Sequence, residues 1–252
     1  LVARFRTDLL PLRKLLTVGP LLIVPLFLGE TKIVIVLLPL VFLVLYQREV
    51  LRRPHVAVVG ILTGVAIAAA AGYAYLGMLG KSIEGHYQEM ISYNFGSRGH
   101  GIVYLNRTTV ITHWAKEQGL DDPVSAVLGN GLGSSHDLTG GHMARRFPGY
   151  GISLTAVSTL LWDVGLVGLG LYLSILVLAW RTAARLRRAS PDDWVRADAT
   201  GIQCALAVFF VYLFYRKVLL EALSFQIVFA LTLGYLAWLY RRHLAVPSSS
   251  TS

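Results

Sequence analysis

Arg107 is the residue whose type and position best suit the binding of a phosphate or diphosphate group. It follows Asn106, a good helix N-cap, so we predict that it lies in the first turn of a helix. Free backbone N–H groups and the positive end of the helix dipole meet at that place. A guanidinium group there can bind two phosphate oxygens at once. The competing interpretation is a surface arginine that faces lipid headgroups.

Two histidines and two arginines accompany a glycine-rich stretch further along the chain. His136 and His142 each have the chemistry of a general base near neutral pH. Arg145 and Arg146 follow His142 and disfavour a third positive charge there, so His142 is the preferred base. The spacing of the histidines is compatible with a metal, but no further ligand stands at a recognisable distance, and we expect none.

The glycine-rich stretch itself, Gly129–Ser135, has two interpretations. It is either a backbone nest that binds a phosphate outside the cell through Gly131 and Gly133, or a turn between two helices. We do not expect a nucleotide-binding loop, because no lysine follows the glycines and no strand precedes them.

The elements that must carry these residues are membrane helices. The chain is 55% hydrophobic with a mean hydropathy of +0.59, and its apolar residues form long runs with few charges. The net charge of +9 does not indicate nucleic acid, because most lysines and arginines stand just beyond apolar runs. We predict an all-α polytopic membrane protein with about six transmembrane helices, at 15–29, 33–47, 56–80, 152–180, 199–215 and 224–240.

The distribution of positive charge predicts the orientation. Fourteen lysines and arginines fall on the side that holds both termini, and nine fall on the other side, which includes the long connection 81–151. We therefore place both termini in the cytoplasm and 81–151 outside, as a large loop with amphipathic helices between N-terminal spans (1–80) and C-terminal spans (152–242). One loop helix carries a stripe at Ile83–Ile91, and another follows Asn106. Residues 243–252 read as a disordered tail.

Two acidic residues near the C-terminal spans also stand out. Asp163 is the one acid in an otherwise apolar stretch, so it is either functional or placed at the outer interface. Glu221 is four residues beyond Lys217 and is expected to pair with it.

From Asn106 onward the order of features resembles the C-terminal half of the bacterial O-antigen ligase and O-antigen polymerase superfamily. In that family an arginine opens an outer-loop helix with a tryptophan further on, as Arg107 and Trp114 do here. A polar-proline stretch then leads to a G-x-G segment, matched by 122–124 and 129–133. A helix with an acid-x-Gly-x-x-Gly pattern re-enters the membrane, matched by 163–168. The resemblance covers roughly residues 100–242.

Two features depart from the family pattern. The ligases carry a histidine at the start of the helix after the loop, and 151–159 contains none. His142 or His136 would have to substitute, or the base is another group. Members of the family also have more than six spans, which leads us to expect that this chain is the C-terminal part of a longer protein.

The resemblance implies glycosyl transfer on the outer face of the bacterial cytoplasmic membrane, without a metal or other cofactor. The donor would be a glycan on undecaprenyl diphosphate, and the acceptor another lipid-linked glycan (polymerase) or a lipid A core (ligase). It implies Arg107, His142 and His136 as catalytic candidates. The substrate-binding candidates are Arg145, Arg146, Gly131, Gly133, Trp114 and Arg216. The alternatives are a polysaccharide transporter or flippase subunit and a non-catalytic scaffold.

Overall fold

The computed structural model describes residues 2–5, 7, 9–14, 17–18, 31–47, 103–119 and 122–245, together with positions 55, 58, 59, 62 and 66. The regular elements in these ranges are helices, as the sequence predicted. The predicted spans 15–29 and 56–80, the loop helix Ile83–Ile91 and the tail beyond 245 fall outside the described residues, apart from isolated positions. The helices are α1 (Val2–Phe5), α2 (Thr31–Leu45), α3 (Thr109–Glu117), α4 (Pro123–Leu128), α5 (His142–Arg146), α6 (Ala156–Ala189), α7 (Asp193–Tyr215), α8 (Val218–Glu221) and α9 (Leu223–Tyr240), which continues as a π-helical turn, Arg241–Ala245.

In the described part of the chain, three helices are long and apolar enough to cross a membrane. They are α6, α7 and the segment Leu223–His243. Large apolar side chains remain exposed on all three, for example Leu171 on α6, Phe210 on α7 and Leu231 on α9. A surface of this kind is stable against lipid rather than water. These helices support a membrane protein, whereas the count of six spans is not confirmed: α2, in the predicted span 33–47, has 15 residues.

Two helices extend beyond the spans predicted for them. We expected the helices to end at 180 and begin at 199, with the arginines between them in a connecting segment. Instead α6 runs to Ala189 and α7 begins at Asp193, so only three residues, 190–192, connect them. The reason is that arginine and alanine, which dominate 179–189, are strong helix formers. The helical backbone therefore continues past the apolar run.

The chain divides into two compact units. The first comprises Leu1–Leu79, Leu178–Val208 and Phe229–Ser252, and the second comprises Gly80–Val177 and Phe209–Val228. In the first unit Arg4 donates two hydrogen bonds of 2.8 Å to the carboxylate of Asp198, which also accepts one from the Tyr235 hydroxyl. These bonds join α1, α7 and α9.

The second unit holds every residue that the sequence nominated for function. Its core is formed by Val110 and Trp114 of α3, Trp162 of α6, and Leu213 and Leu219.

Local signals explain the short helix α4 of this unit. Asp122 caps α4 by accepting from the Ser125 amide and hydroxyl, and Pro123 occupies the first helical position, where no backbone donor is needed. Gly129 then ends α4 with a φ of +81°.

Candidate functional site

A break in α6 is the feature around which the second unit is organised. Gly165 has φ of +66° and ψ of −165° inside an otherwise helical segment. A side chain at Gly165 would overlap the backbone of Val127 and Gly129, and one at Gly129 would overlap the backbone of Asp163 and Val164. Two glycines, one on each segment, thus allow the end of α4 to lie directly against the break.

The glycine-rich stretch bonds to the backbone that this break exposes. Asn130 donates its backbone and side-chain N–H groups to the Trp162 carbonyl, both at 2.9 Å, and Gly131 donates its amide to the Asp163 carbonyl at 2.9 Å. A helix carbonyl left without its normal partner needs another donor, especially inside a membrane protein. The glycine-rich stretch supplies these donors.

The Asp163 carboxylate is the anion that the glycine-rich stretch binds. One carboxylate oxygen accepts from the Gly133 amide at 2.9 Å, and the other accepts from the Ser135 amide and the Ser134 hydroxyl, both at 2.9 Å. Asp163 is only 5% exposed, so these bonds replace the water that a carboxylate requires. The nest that the sequence suggested exists, but its ligand is a side chain of the same chain.

A phosphate therefore cannot use the amides of Gly131 and Gly133 while Asp163 holds them. Gly131 and Gly133 can contribute to a ligand site only by shaping the surface around them. That surface is an open depression of about 290 Å³. It is lined by Asn130, Gly131, Leu132, Gly133, Ser134, Gly140, Gly141, His142 and Arg145.

His142 and Arg145 supply the functional side chains of this depression. Both belong to α5 and are exposed. The glycine-rich loop is bonded to α5 through the Ser134 carbonyl, which accepts hydrogen bonds from the amides of Met143 and Ala144 at 3.0 and 3.1 Å. The packing of Gly141 against Ser134 leaves no room for a side chain on that glycine. The loop bonded to Asp163 thus positions the candidate base His142 and the candidate phosphate ligand Arg145.

Arg107 lies elsewhere in the same unit. The Asn106 side chain accepts from the amides of Thr108 and Thr109 at 3.0 and 2.8 Å, so it caps the turn that leads into α3. Because α3 begins at Thr109, Arg107 precedes the helix and does not lie in its first turn as predicted. The Nε of Arg107 donates to the Tyr215 carbonyl at 2.8 Å, and its guanidinium carbon is 4.0 Å from the centre of the Tyr215 ring. Arg107 therefore contacts the C-terminal end of α7, where a positive charge favours the helix dipole.

His136 is held between two acidic groups rather than turned to the depression. Its Nε2 lies 2.7 Å from Glu221 Oε1, and its Nδ1 lies 3.7 Å from Asp163 Oδ2. Lys217 pairs with the same Glu221 oxygen at 3.1 Å, which confirms the ion pair predicted from their spacing.

The remaining nominated residues do not line the depression. Trp114 is 7% exposed and packs in the core, where its indole is shielded from a ligand. Arg146 is exposed beside the Phe147 ring, and Arg216 is exposed after the end of α7. Of nine nominated residues, the structure thus brings four together at the depression: Gly131, Gly133, His142 and Arg145.

Sequence reasoning did not single out an aromatic cluster around His113. The imidazole stacks on Tyr150 with ring centres 5.2 Å apart and meets Phe147 edge-on at 5.0 Å. Burial lowers the pKa of His113, so the ring favours its neutral form. The signal in the sequence was the position of His113 three residues beyond Val110, on the buried face of α3.

Replacing Asp163 by asparagine should loosen the loop and destabilise the protein by about 3 kcal/mol. Both carboxylate oxygens accept hydrogen bonds, so the NH2 group of the asparagine would face an N–H or O–H donor and leave it without an acceptor. For a chain of this size, the loss of about 3 kcal/mol is a fall in Tm of about 6–12 °C, measurable by thermal unfolding in detergent. Asp137→Asn is the matched control, since Asp137 is exposed in the same loop. An unchanged Tm in Asp163→Asn would show that the nest bonds do not hold the loop.

Among the described residues, no group of three or more histidine, cysteine or acidic side chains is arranged to hold a metal ion. Comparison with protein-family models, with curated proteins and with solved structures finds no match to this chain.

Proposed function

We propose that this protein is a membrane glycosyltransferase that joins or polymerises undecaprenyl-diphosphate-linked glycans on the outer face of the bacterial cytoplasmic membrane. The observation that carries the proposal is the depression beside the break in α6. It combines a histidine and an arginine on a polar loop of a protein with membrane-spanning helices. A substrate with a lipid tail and a charged, sugar-bearing head needs both environments.

The chemistry follows from these side chains. An acceptor hydroxyl forms a bond to the anomeric carbon of the donor sugar, and the bond from that carbon to the diphosphate oxygen breaks. The lipid diphosphate leaves with the bonding electron pair, and positive charge stabilises it. Arg145 supplies this charge at the depression, and Arg107, at the end of α7, is proposed as a second diphosphate ligand. His142 accepts the hydroxyl proton as general base. The reaction needs neither a nucleotide sugar nor a metal. The donor is the lipid-linked glycan, and the acceptor is a second glycan or a lipid A core.

The broken helix favours a second candidate, a polysaccharide transporter or flippase subunit. Transporters bind substrates and ions at discontinuous helices, through the backbone groups that the break exposes. Here the Trp162 and Asp163 carbonyls and the Asp163 carboxylate are already bonded to the glycine-rich stretch. Those groups are not available to a transported ion, so the geometry supports the enzyme better.

Purified protein in proteoliposomes with radiolabelled lipid-linked glycan separates these functions. The proposed enzyme converts the label into longer glycan, or into glycan joined to an added acceptor. A flippase subunit moves the label across the bilayer without changing its size, and a scaffold does neither. Either of the last two results would contradict the proposal.

A further inference from the structure

The contact between His136 and Glu221 joins two parts of the second unit that are distant in sequence. His136 lies inside the loop: its amide donates to the Gly133 carbonyl at 3.2 Å, and its carbonyl accepts from the Gly141 amide at 2.9 Å. Glu221 ends α8, in the short segment that connects α7 to α9. The bond of 2.7 Å therefore ties the centre of the loop to the start of the last described span.

The surroundings of His136 suit a bridge between two carboxylates. Its Nδ1 is buried, has no hydrogen-bond partner, and lies 3.7 Å from Asp163. Lys217 contacts the same Glu221 oxygen as His136, and the Glu221 side chain is 32% exposed. The ring is bonded to Glu221 through Nε2 and packs beside Asp163 through Nδ1, so it can keep the loop in place.

We infer that His136 and Glu221 are positioning residues, which hold the loop so that His142 and Arg145 stay in place for the reaction proposed above. The inference rests on that proposed function for its catalytic part. Its structural part, that this contact keeps the loop attached, stands separately. Because catalytic groups must be placed within fractions of an ångström, a loosened loop costs rate more than it costs binding.

Limited chymotrypsin digestion of the purified protein tests the structural part. Leu132 and Leu138 are 88% and 99% exposed, but a protease needs several detached residues around the bond it cuts. We expect His136→Gln and Glu221→Gln each to raise cleavage after these leucines about tenfold, since each variant replaces the charge-assisted imidazole–carboxylate bond with at most a weaker amide bond. Cleavage of the double variant should be no faster than cleavage of either single variant, because both substitutions remove the same contact.

Two controls accompany this digestion. Asp137→Asn removes a neighbouring carboxylate and should leave cleavage unchanged. Lys217→Gln removes the other partner of Glu221 and should raise cleavage less than about threefold, because Lys217 and Glu221 belong to the same short segment and their pair does not hold the loop. The inference would be overturned if cleavage rose less than twofold in both single variants. It would also be overturned if the increase in the double variant equalled the product of the two single increases.

The transfer assay tests the catalytic part. We expect kcat of His136→Gln and Glu221→Gln to fall about tenfold while KM for the lipid-linked donor changes less than about twofold. A loosened loop with parental kcat would overturn the positioning role. If the parental protein itself transfers no glycan, the proposed function fails, and the positioning role fails with it. The digestion would then still decide whether the contact holds the loop.

Discussion

Replacing Arg107 by alanine or by lysine is expected to reduce glycosyl transfer by at least about a hundredfold while the amount of protein stays normal. Arg107 is half-buried, and removing one donor that stabilises charge in the transition state typically costs about 10²–10³ in rate. Lysine should fail like alanine, because an ammonium group cannot bind two oxygens of a diphosphate in the fixed geometry of a guanidinium.

The lysine variant separates this role from a structural one. Arg107 donates to the Tyr215 carbonyl at the end of α7, and a lysine can also donate there. If Arg107 serves only as that cap, Arg107→Lys should keep most of the activity and only the alanine variant should lose stability. Lys116→Ala, which removes a charge from the exposed side of α3, is the matched control. Full activity in Arg107→Ala would show that Arg107 is a surface arginine and does not bind the diphosphate.

Replacing His142 by alanine is expected to slow glycosyl transfer by about 10²–10⁴-fold, the usual contribution of a general base. Because His142 is exposed at the depression and the Ser134 contacts fix α5 through other residues, donor binding should stay largely intact. The corresponding change at His136 should cost only about tenfold, since that ring faces Glu221 and acts through the loop. Single-turnover rates with saturating donor measure both effects.

Parental rates in both single variants and in the double variant would show that neither histidine is the base. The mechanism would then depend on arginine-assisted departure of the diphosphate alone, which is chemically reasonable because a diphosphate is a good leaving group.

Local signals in the sequence predicted local structure correctly. The cap by Asn106 and the pair of Lys217 with Glu221 each depend on residues within four positions of one another. The last three apolar runs likewise predicted α6, α7 and α9. The bounds of α9 agree with the prediction within one residue. The end of α6 and the start of α7 lie beyond the predicted spans, because hydropathy marks the apolar run and not the end of the helical hydrogen bonds.

The organisation of the candidate site could not be predicted in this way. The sequence marked the glycine-rich stretch and Asp163 as two separate features, and nothing local indicated that one binds the other across about thirty residues. The partnership depends on the break at Gly165, and a glycine in an apolar run does not by itself predict a break. His136 was nominated as a base for its chemistry, whereas its contacts with Glu221 and Asp163 are set by tertiary structure.

The most direct measurement follows the lipid product of the reaction. Purified protein is given the lipid-linked glycan and an acceptor, with a chelator and no nucleotide sugar, and undecaprenyl diphosphate and extended glycan are quantified together. The account predicts one undecaprenyl diphosphate released for each glycan transferred, with both products falling together in Arg107→Lys and His142→Ala. Undecaprenyl diphosphate release without glycan transfer, or no release at all, would contradict it.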